Sequence, residues 1–334
     1  MARFRQRGVL RAQALFGLAG VLFLWSCRNQ AFLSLEAAQR VQNQQSVHNA
    51  ANVEQHGELL NRRVMLASVI ASAGASEAGA AAPTTIMVAG ATGQTGRRIV
   101  ERLAKTADVL VIGGVRDTAK AEKELTKSSI AIRGAMIDEV KAVDTKGVSL
   151  KPLDVAKDSV DKLSETLTGC SALIIATGFV PGNPFAMNAE AHAVDNVGTK
   201  ALVDAAKKSG VKKIVLVSSI LTNGRAWGQE NSPGFQVTNA FGNVLDEKLE
   251  AEKYLRASGI DYTIVRPGGL KSTVPEANLL VSKEDTLNSG EVSRDLVADV
   301  SIAAVFDSKA SNQVVEIIED DKAKSLSKSE WFVL

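Results

Sequence analysis

The sequence predicts an α/β protein: a single doubly wound domain around a mostly parallel sheet. Three observations carry that expectation. From residue 83 onward, short and nearly continuous Val/Ile/Leu runs alternate with helical patterns. Such runs suit strands covered on both faces, and strand–helix alternation calls for βαβ units joined by crossovers. The first run also ends in a glycine-spaced turn that opens a helix, "VAGATGQTGRRIV" at 88–100.

The elements follow in order. "TIMVAG" is the first strand, and "TGRRIVERLAKTA" sets Ile99, Val100, Leu103 and Ala104 on one helical face. "DVLVIGGV" and "DTAKAEKELTKSS" are the second strand and helix, and residues 130–146 are a less regular insert. "GVSLKPLDV", then "KDSVDKLSETLTG", are the third pair, and "ALIIATG" is the fourth strand. A long helix over 189–210 ends at Gly210, as a helix stopped by a left-handed glycine does. "VKKIVLVSS" is the fifth strand, "NVLDEKLEAEKYLRASG" the next helix, "DYTIVRPGG" the sixth strand and "NQVVEIIE" the seventh. The last residues, "DKAKSLSKSEWFVL", either dock or form a loose tail.

A strand, glycines and then a helix is the context that gives the glycine spacing meaning. Gly90 permits a tight turn, Gly93 lets the backbone approach a pyrophosphate, and Gly96 lets the helix pack near the strand. The helix N-terminus offers free N–H groups and a partial positive charge to phosphate, and Thr92, Gln94 and Thr95 add side-chain donors. The end of the second strand selects the cofactor: an acid there holds the ribose 2′-hydroxyl of NAD, a cation the 2′-phosphate of NADP. Here the strand ends "GGVRD", so Arg116, with Arg97 close to it, favours NADP(H) over NAD(H). Asp154 and Val155 are expected beside the adenine, and Ala176, Thr177 and Gly178 at the nicotinamide ribose, all at carboxyl ends of strands.

Composition narrows the remaining classes. The net charge of +2 is too small to argue for nucleic acid, but it is unevenly spread. Residues 1–82 hold eight Arg, four Glu, no Lys and no Asp, a net of +4 that leaves the rest at −2. Arg without Lys among Gln, Asn, Ser and Ala reads as a processed presequence. Residues 1–27 are signal-like, with a basic start and an apolar run at 14–25. Residues 28–82 are transit-like, and 83–334 form the domain. Two successive segments of this kind suit a plastid address, with removal expected between about residues 64 and 83. Stroma, thylakoid surface and lumen all stay open. Cys27, His48 and His56 fall in the leader, so Cys170 and His192 stand alone in the domain. No metal site built on several histidines is expected.

The motifs "VDNVGTKALVDAAKKSGVKKIVLVSSI", "AEKYLRASGIDYTIVRPGGL" and "SGEVSRDLVADV" resemble the NAD(P)H-binding family of atypical short-chain dehydrogenase/reductases, and most of all its plant and algal plastid members. The resemblance runs over about residues 84–320. It implies a Rossmann core with strand order 3-2-1-4-5-6-7, NADP(H) binding and a plastid address. It implies no single substrate.

One departure is chemical. Typical members place a Tyr four residues before a Lys, which lowers the Tyr pKa and holds the nicotinamide ribose. Here Tyr254 precedes Ser258 and Tyr262 precedes Arg266 by four, while Lys248 is preceded by Val244. Lys248 either holds the ribose or is a solvated helix lysine. Ser218 and Ser219 either orient a substrate carbonyl or close the fifth strand, and Ser218 is also expected among the cofactor-binding residues. Arg266, Pro267 and Gly268 resemble the cofactor-side turn, in which Pro267 and Gly268 shape the nicotinamide pocket. His192 is read as a partly packed helix histidine. The loop over 221–242 is expected to cover the nicotinamide end, with Trp227 and Phe235 stacking on a planar ligand or anchoring the loop.

Two functions are consistent with these residues. One is an NADPH-dependent reductase of a small planar, flavin- or quinone-like acceptor, with Ser219 and Lys248 as the catalytic candidates. The other is a non-catalytic NADP(H)-responsive scaffold at a thylakoid or plastoglobule.

Overall fold

The computed structural model describes residues 83–133 and 136–334. The presequence features, with Cys27, His48 and His56, lie outside the described residues.

Strand β1 (Thr84–Ala89) leads into helix α1 (Gln94–Ala104), and β2 (Val109–Val115) into α2 (Thr118–Leu125). Residues 130–146, expected to be irregular, contain most of an antiparallel hairpin, β3 (Ser129–Arg133) with β4 (Met136–Val140). Next come β5 (Val148–Pro152), α3 (Val160–Leu167) and β6 (Ala172–Ile175). The expected long helix is present but divided. A turn α4 (Met187–Ala191) passes through a π-helical segment (His192–Gly198) into α5 (Thr199–Ser209), closed by Gly210 in the left-handed region. β7 (Lys213–Val217), α6 (Pro233–Asn239), α7 (Val244–Ala257) and β8 (Asp261–Pro267) follow. Short β9 (Gly269–Lys271) pairs with β11 (Glu291–Ser293), and β10 (Asn278–Lys283), α8 (Arg294–Phe306) and β12 (Gln313–Asp320) complete the described fold.

Among the described residues, the main sheet runs β10-β12-β8-β7-β6-β1-β2-β5. Counting only the strands expected from sequence, this is the order 3-2-1-4-5-6-7. The addition is β10, which lies antiparallel on β12 at the edge. The Rossmann arrangement is therefore present.

Side-chain alternation builds both layers at once. In β1, Ile86 and Val88 face one side with Ile99, Val100 and Leu103 of α1 and Val297, Val300 and Ala304 of α8. Met87 and Ala89 face the other, with Leu163 and Leu167 of α3, Leu202 of α5 and Leu255 of α7. Each fully buried Leu or Ile contributes roughly 1.5–3 kcal/mol relative to exposure. The C-terminal residues dock: Trp331 and Phe332 are buried against the α1/α8 layer.

The chain winds from β1 to β2 and β5 in one direction, then crosses back to β6, β7 and β8 in the other. β1 and β6 are the neighbours at which the direction reverses, and the crevice beyond their carboxyl ends is where such sheets bind ligands.

Candidate functional site

The glycine loop sits in that crevice. Ala89 pairs with Gly114 on one side and Ile175 on the other. The N–H groups of Gly90 and Ala91 both donate to the Gly114 carbonyl at 3.2 Å, and Ala176 N–H donates to Ala89 at 3.0 Å. Gly90 has φ +83°, and a Cβ there would lie 2.9 Å from the Ala176 carbonyl oxygen. A Cβ on Gly96 would lie 2.1 Å from the Gly90 oxygen, so the helix can start this close to the turn only with glycine. Gly93 is the N-cap of α1, with no side-chain cap and no acid in the first turn. The helix N-terminus is thus left open to an anion. Thr92 is half-buried; Gln94 and Thr95 are buried. Gln94 Oε1 accepts from Ser272 Oγ, which in turn accepts from Arg294 Nη1.

Beside the loop, Arg116 follows β2. It is exposed, with no hydrogen-bond or ion-pair partner among the described residues. The neighbouring acid points elsewhere: Asp117 caps α2, accepting from Lys120 N–H at 2.9 Å. Leu153 N–H donates to the Val115 carbonyl at 2.7 Å, which brings residues 153–155 alongside. The Asp154 carboxylate is turned back on Ala156 N–H, and Val155 packs on Gly198, where a Cβ would lie 2.8 Å from the Val155 carbonyl.

Arg97 does not join Arg116. It is buried, and its guanidinium donates to the carbonyls of Lys141 (2.9 Å) and Glu124 (3.1 Å). Burial, and then the charge of Arg98, push its pKa down. Arg97 ties α1 to the segments around the hairpin rather than reaching a 2′-phosphate.

At the turn after β6, Thr177 Oγ1 is buried with no partner. A buried hydroxyl left unsatisfied is costly, and here it lies in the crevice next to Gly90. This orphan, the glycine cradle and the open helix end together fit a dinucleotide. Gly178 lies against Asp195, a buried carboxylate of the π-helical segment. Asp195 Oδ2 accepts from Phe179 N–H at 3.0 Å and Oδ1 from Lys248 Nζ at 2.8 Å. Lys248 is thus neither a freely solvated helix lysine nor unpaired.

The two serines separate. Ser219 is half-buried, with no side-chain partner among the described residues. Ser218, expected to bind cofactor, is buried and donates its hydroxyl to Glu252. Glu252 belongs to an ionic network unforeseen from sequence. Arg266 Nη2 donates to Glu252 at 2.6 Å, and Nη1 to Asp285 at 2.8 Å and Glu316 at 3.3 Å. Burial would depress the Arg266 pKa, but Glu252 and then Asp285 drive it upward. Glu316 also accepts the N–H groups of Asp285, Thr286 and Leu287. The network holds β8, β12, α7 and the segment around 285–287 together. Its signal in the sequence was a lone Glu inside the apolar run "VVEII". Pro267 accepts from Ile220 N–H, and Gly268 packs so closely that a Cβ would lie 2.5 Å from the Gly290 oxygen.

The segment over 221–242 contains helix α6, capped by Ser232. Phe235 is buried with Ile220, Leu221 and Leu245, under the Arg225 guanidinium at 5.0 Å. It anchors the segment, and Trp227 packs partly against the same cluster. Val244, at the place expected of a tyrosine, packs there too. Arg225 and Asn239 both reach Asp246 on α7. His192 is more exposed than expected for a partly packed histidine, its side chain 55% accessible, with Nδ1 2.9 Å from Glu247.

Comparison with known proteins agrees with this geometry. An uncharacterised chloroplastic protein of Arabidopsis thaliana is 44% identical over 248 residues, covering 74% of this chain and 81% of its own length. Sanguinarine reductase of Eschscholzia californica is 28% identical, covering 70% of this chain and 88% of its own length. The structure of the oxidoreductase ylbE from Lactococcus lactis shares the fold with TM-score 0.58 at 20% identity, over 75% of this chain and 95% of that one. The family model described as NAD(P)H-binding matches residues 90–308, and the chain belongs to that family.

Proposed function

We propose that this chain is an NADP(H)-dependent oxidoreductase of plastids that reduces a small planar, flavin- or quinone-like acceptor. The observation that carries the cofactor choice is the contrast at the end of β2. Asp117 is committed to its helix cap, whereas Arg116 is exposed and unpaired among the described residues. A guanidinium so placed suits a 2′-phosphate, while a carboxylate held by a cap is not offered to a ribose 2′-hydroxyl.

The chain's own groups then divide the work. Backbone N–H groups at the start of α1 hold the pyrophosphate, and Thr177 Oγ1 gains the partner it lacks. Lys248 donates to the nicotinamide ribose. NADPH, when bound, supplies the hydride. Ser219, with its hydroxyl uncommitted, gives a proton to the reduced acceptor and is reprotonated by water. Similarity to sanguinarine reductase supports the reductase reading. The chloroplastic relative and the Arg-rich, Lys-free residues 1–82 support a plastid address with a removed presequence ahead of an 83–334 domain. Among the described residues no helix is long and apolar enough to cross a membrane; association with a thylakoid or plastoglobule belongs to the same proposal.

Full chain mixed with NADPH and a panel of quinones, flavins and linear tetrapyrroles is the test. Loss of the nicotinamide absorbance with at least one acceptor is expected. Binding of NADPH with no turnover on any acceptor overturns the reductase. It then leaves the second reading, a non-catalytic NADP(H)-responsive scaffold. Val244 favours that second reading, because it fills the tyrosine's place with an apolar contact.

A further inference from the structure

We infer that Asp195 is a positioning residue for the cofactor site: its carboxylate fixes the Lys248 ammonium and the turn after β6 in one arrangement. This inference rests on the proposed dinucleotide binding.

Three observations carry it. The Asp195 side chain is 1% exposed and that of Lys248 17% exposed, so the carboxylate is enclosed while the ammonium keeps an open side. The two carboxylate oxygens serve different elements, Oδ1 the ammonium at 2.8 Å and Oδ2 the Phe179 N–H at 3.0 Å. Asp195 is also presented by the π-helical segment, a local widening that interrupts an otherwise regular helix. Such widenings re-aim side chains and concentrate at functional sites. A buried carboxylate is tolerated only when paired and hydrogen-bonded. Asp195 meets that condition by joining two elements that the ligand would have to touch together: the Gly178–Phe179 turn and the Lys248 face of α7.

The ammonium has three donors, and Asp195 is its one partner among the described residues. The remaining donors are available to the ribose hydroxyls at the nicotinamide end. Neighbouring charged groups are arranged to leave this pair alone. Glu247, next to Lys248, is engaged by His192 and by Asn196 Nδ2 at 2.6 Å. Asp246 is engaged by Arg225 and Asn239. Without the Asp195 charge, the ammonium has no fixed position from which to donate.

The test compares two ligands on the full chain by calorimetry. NADPH contains the nicotinamide ribose; adenosine 2′,5′-bisphosphate contains only the adenine end. Asp195→Asn retains an oxygen for Phe179 N–H but removes the charge, and Lys248→Met removes the ammonium. Each is expected to weaken NADPH by roughly tenfold or more, the size of a lost charge-assisted hydrogen bond. The bisphosphate should stay within about twofold. The double variant should be no weaker than Lys248→Met alone, because both remove one shared interaction. Equal weakening of both ligands would show a merely structural role and overturn the inference. So would unchanged NADPH affinity in Asp195→Asn, or additive losses in the double variant. Wild-type protein binding neither ligand removes the underlying cofactor reading, an outcome separate from any of these.

Discussion

The two halves of the crevice are built by different means. On the β1/β2 side the shape comes from backbone: a left-handed Gly90, a Gly96 that admits the Gly90 carbonyl, and a helix end with no side-chain cap. On the β7/β8 side it comes from side chains far apart in sequence. Ser218, Glu252, Arg266, Asp285 and Glu316 meet in one buried network. The glycine cradle and the ionic support of the crevice thus follow separate rules here. Backbone cradles tolerate little change at a few glycines, whereas the ionic network is sensitive at every charged member.

The largest expected effect breaks the network. Arg266→Met leaves the carboxylates of Glu252, Asp285 and Glu316, with Glu284 at 4.0 Å, around an uncharged side chain, and removing one member of a buried ion pair costs about 3–5 kcal/mol. Urea unfolding should show a midpoint shift of that size. A change under 1 kcal/mol would mean that the buried carboxylates do not depend on Arg266. On the backbone side, Gly90→Ala imposes left-handed strain of about 1–2 kcal/mol, and its Cβ meets the turn at Ala176. NADPH affinity should drop with it, while the Arg266 network stays intact. Retained affinity in that variant would separate the glycine loop from the ligand.

A smaller effect tests the cofactor choice within the backbone half. Arg116→Asp should weaken NADPH roughly 10- to 100-fold by loss of a charge-assisted contact, and NADH far less. Equal losses would show that Arg116 does not read the 2′-phosphate. The smallest effect concerns the strap between the 221–242 segment and α7. The Arg225 hydrogen bond holds the Asp246 carboxyl below its ordinary value of 3.8. A depressed carboxylate adds stability that is present above that ordinary value and is lost as pH falls below it, through the folded-state value. Asp246→Asn should therefore lower stability by less than about 1 kcal/mol near neutrality, since the pair is partly exposed. The difference from wild type should vanish in the acid range. A difference that persists at low pH would point to packing instead.

Legibility in the sequence follows the same division. The strands and the glycine loop were readable because their signals are local: apolar runs, glycine spacing and an Arg at a strand end; the strand order came only with the family resemblance, because which strands lie side by side is not a local property. Helix α8 was not among the expected elements; it starts at Ser293, whose hydroxyl accepts from Asp295 N–H. The π-helical segment was not readable, because one extra residue per turn leaves composition unchanged. Nor was the commitment of Arg97 to two carbonyls, which depends on the hairpin after α2. Ser218 and Ser219 are adjacent and identical in type; only the path of the chain just after β7 gives one to Glu252 and leaves the other uncommitted.

The proposed function has the crevice between β1 and β6 hold NADP(H) by its backbone and Arg116. Calorimetric titration of the full chain with NADPH and NADH tests it most directly. NADPH binding at least tenfold tighter than NADH is expected, with the preference abolished in Arg116→Asp. Equal affinity for both dinucleotides, or binding of neither, would contradict it.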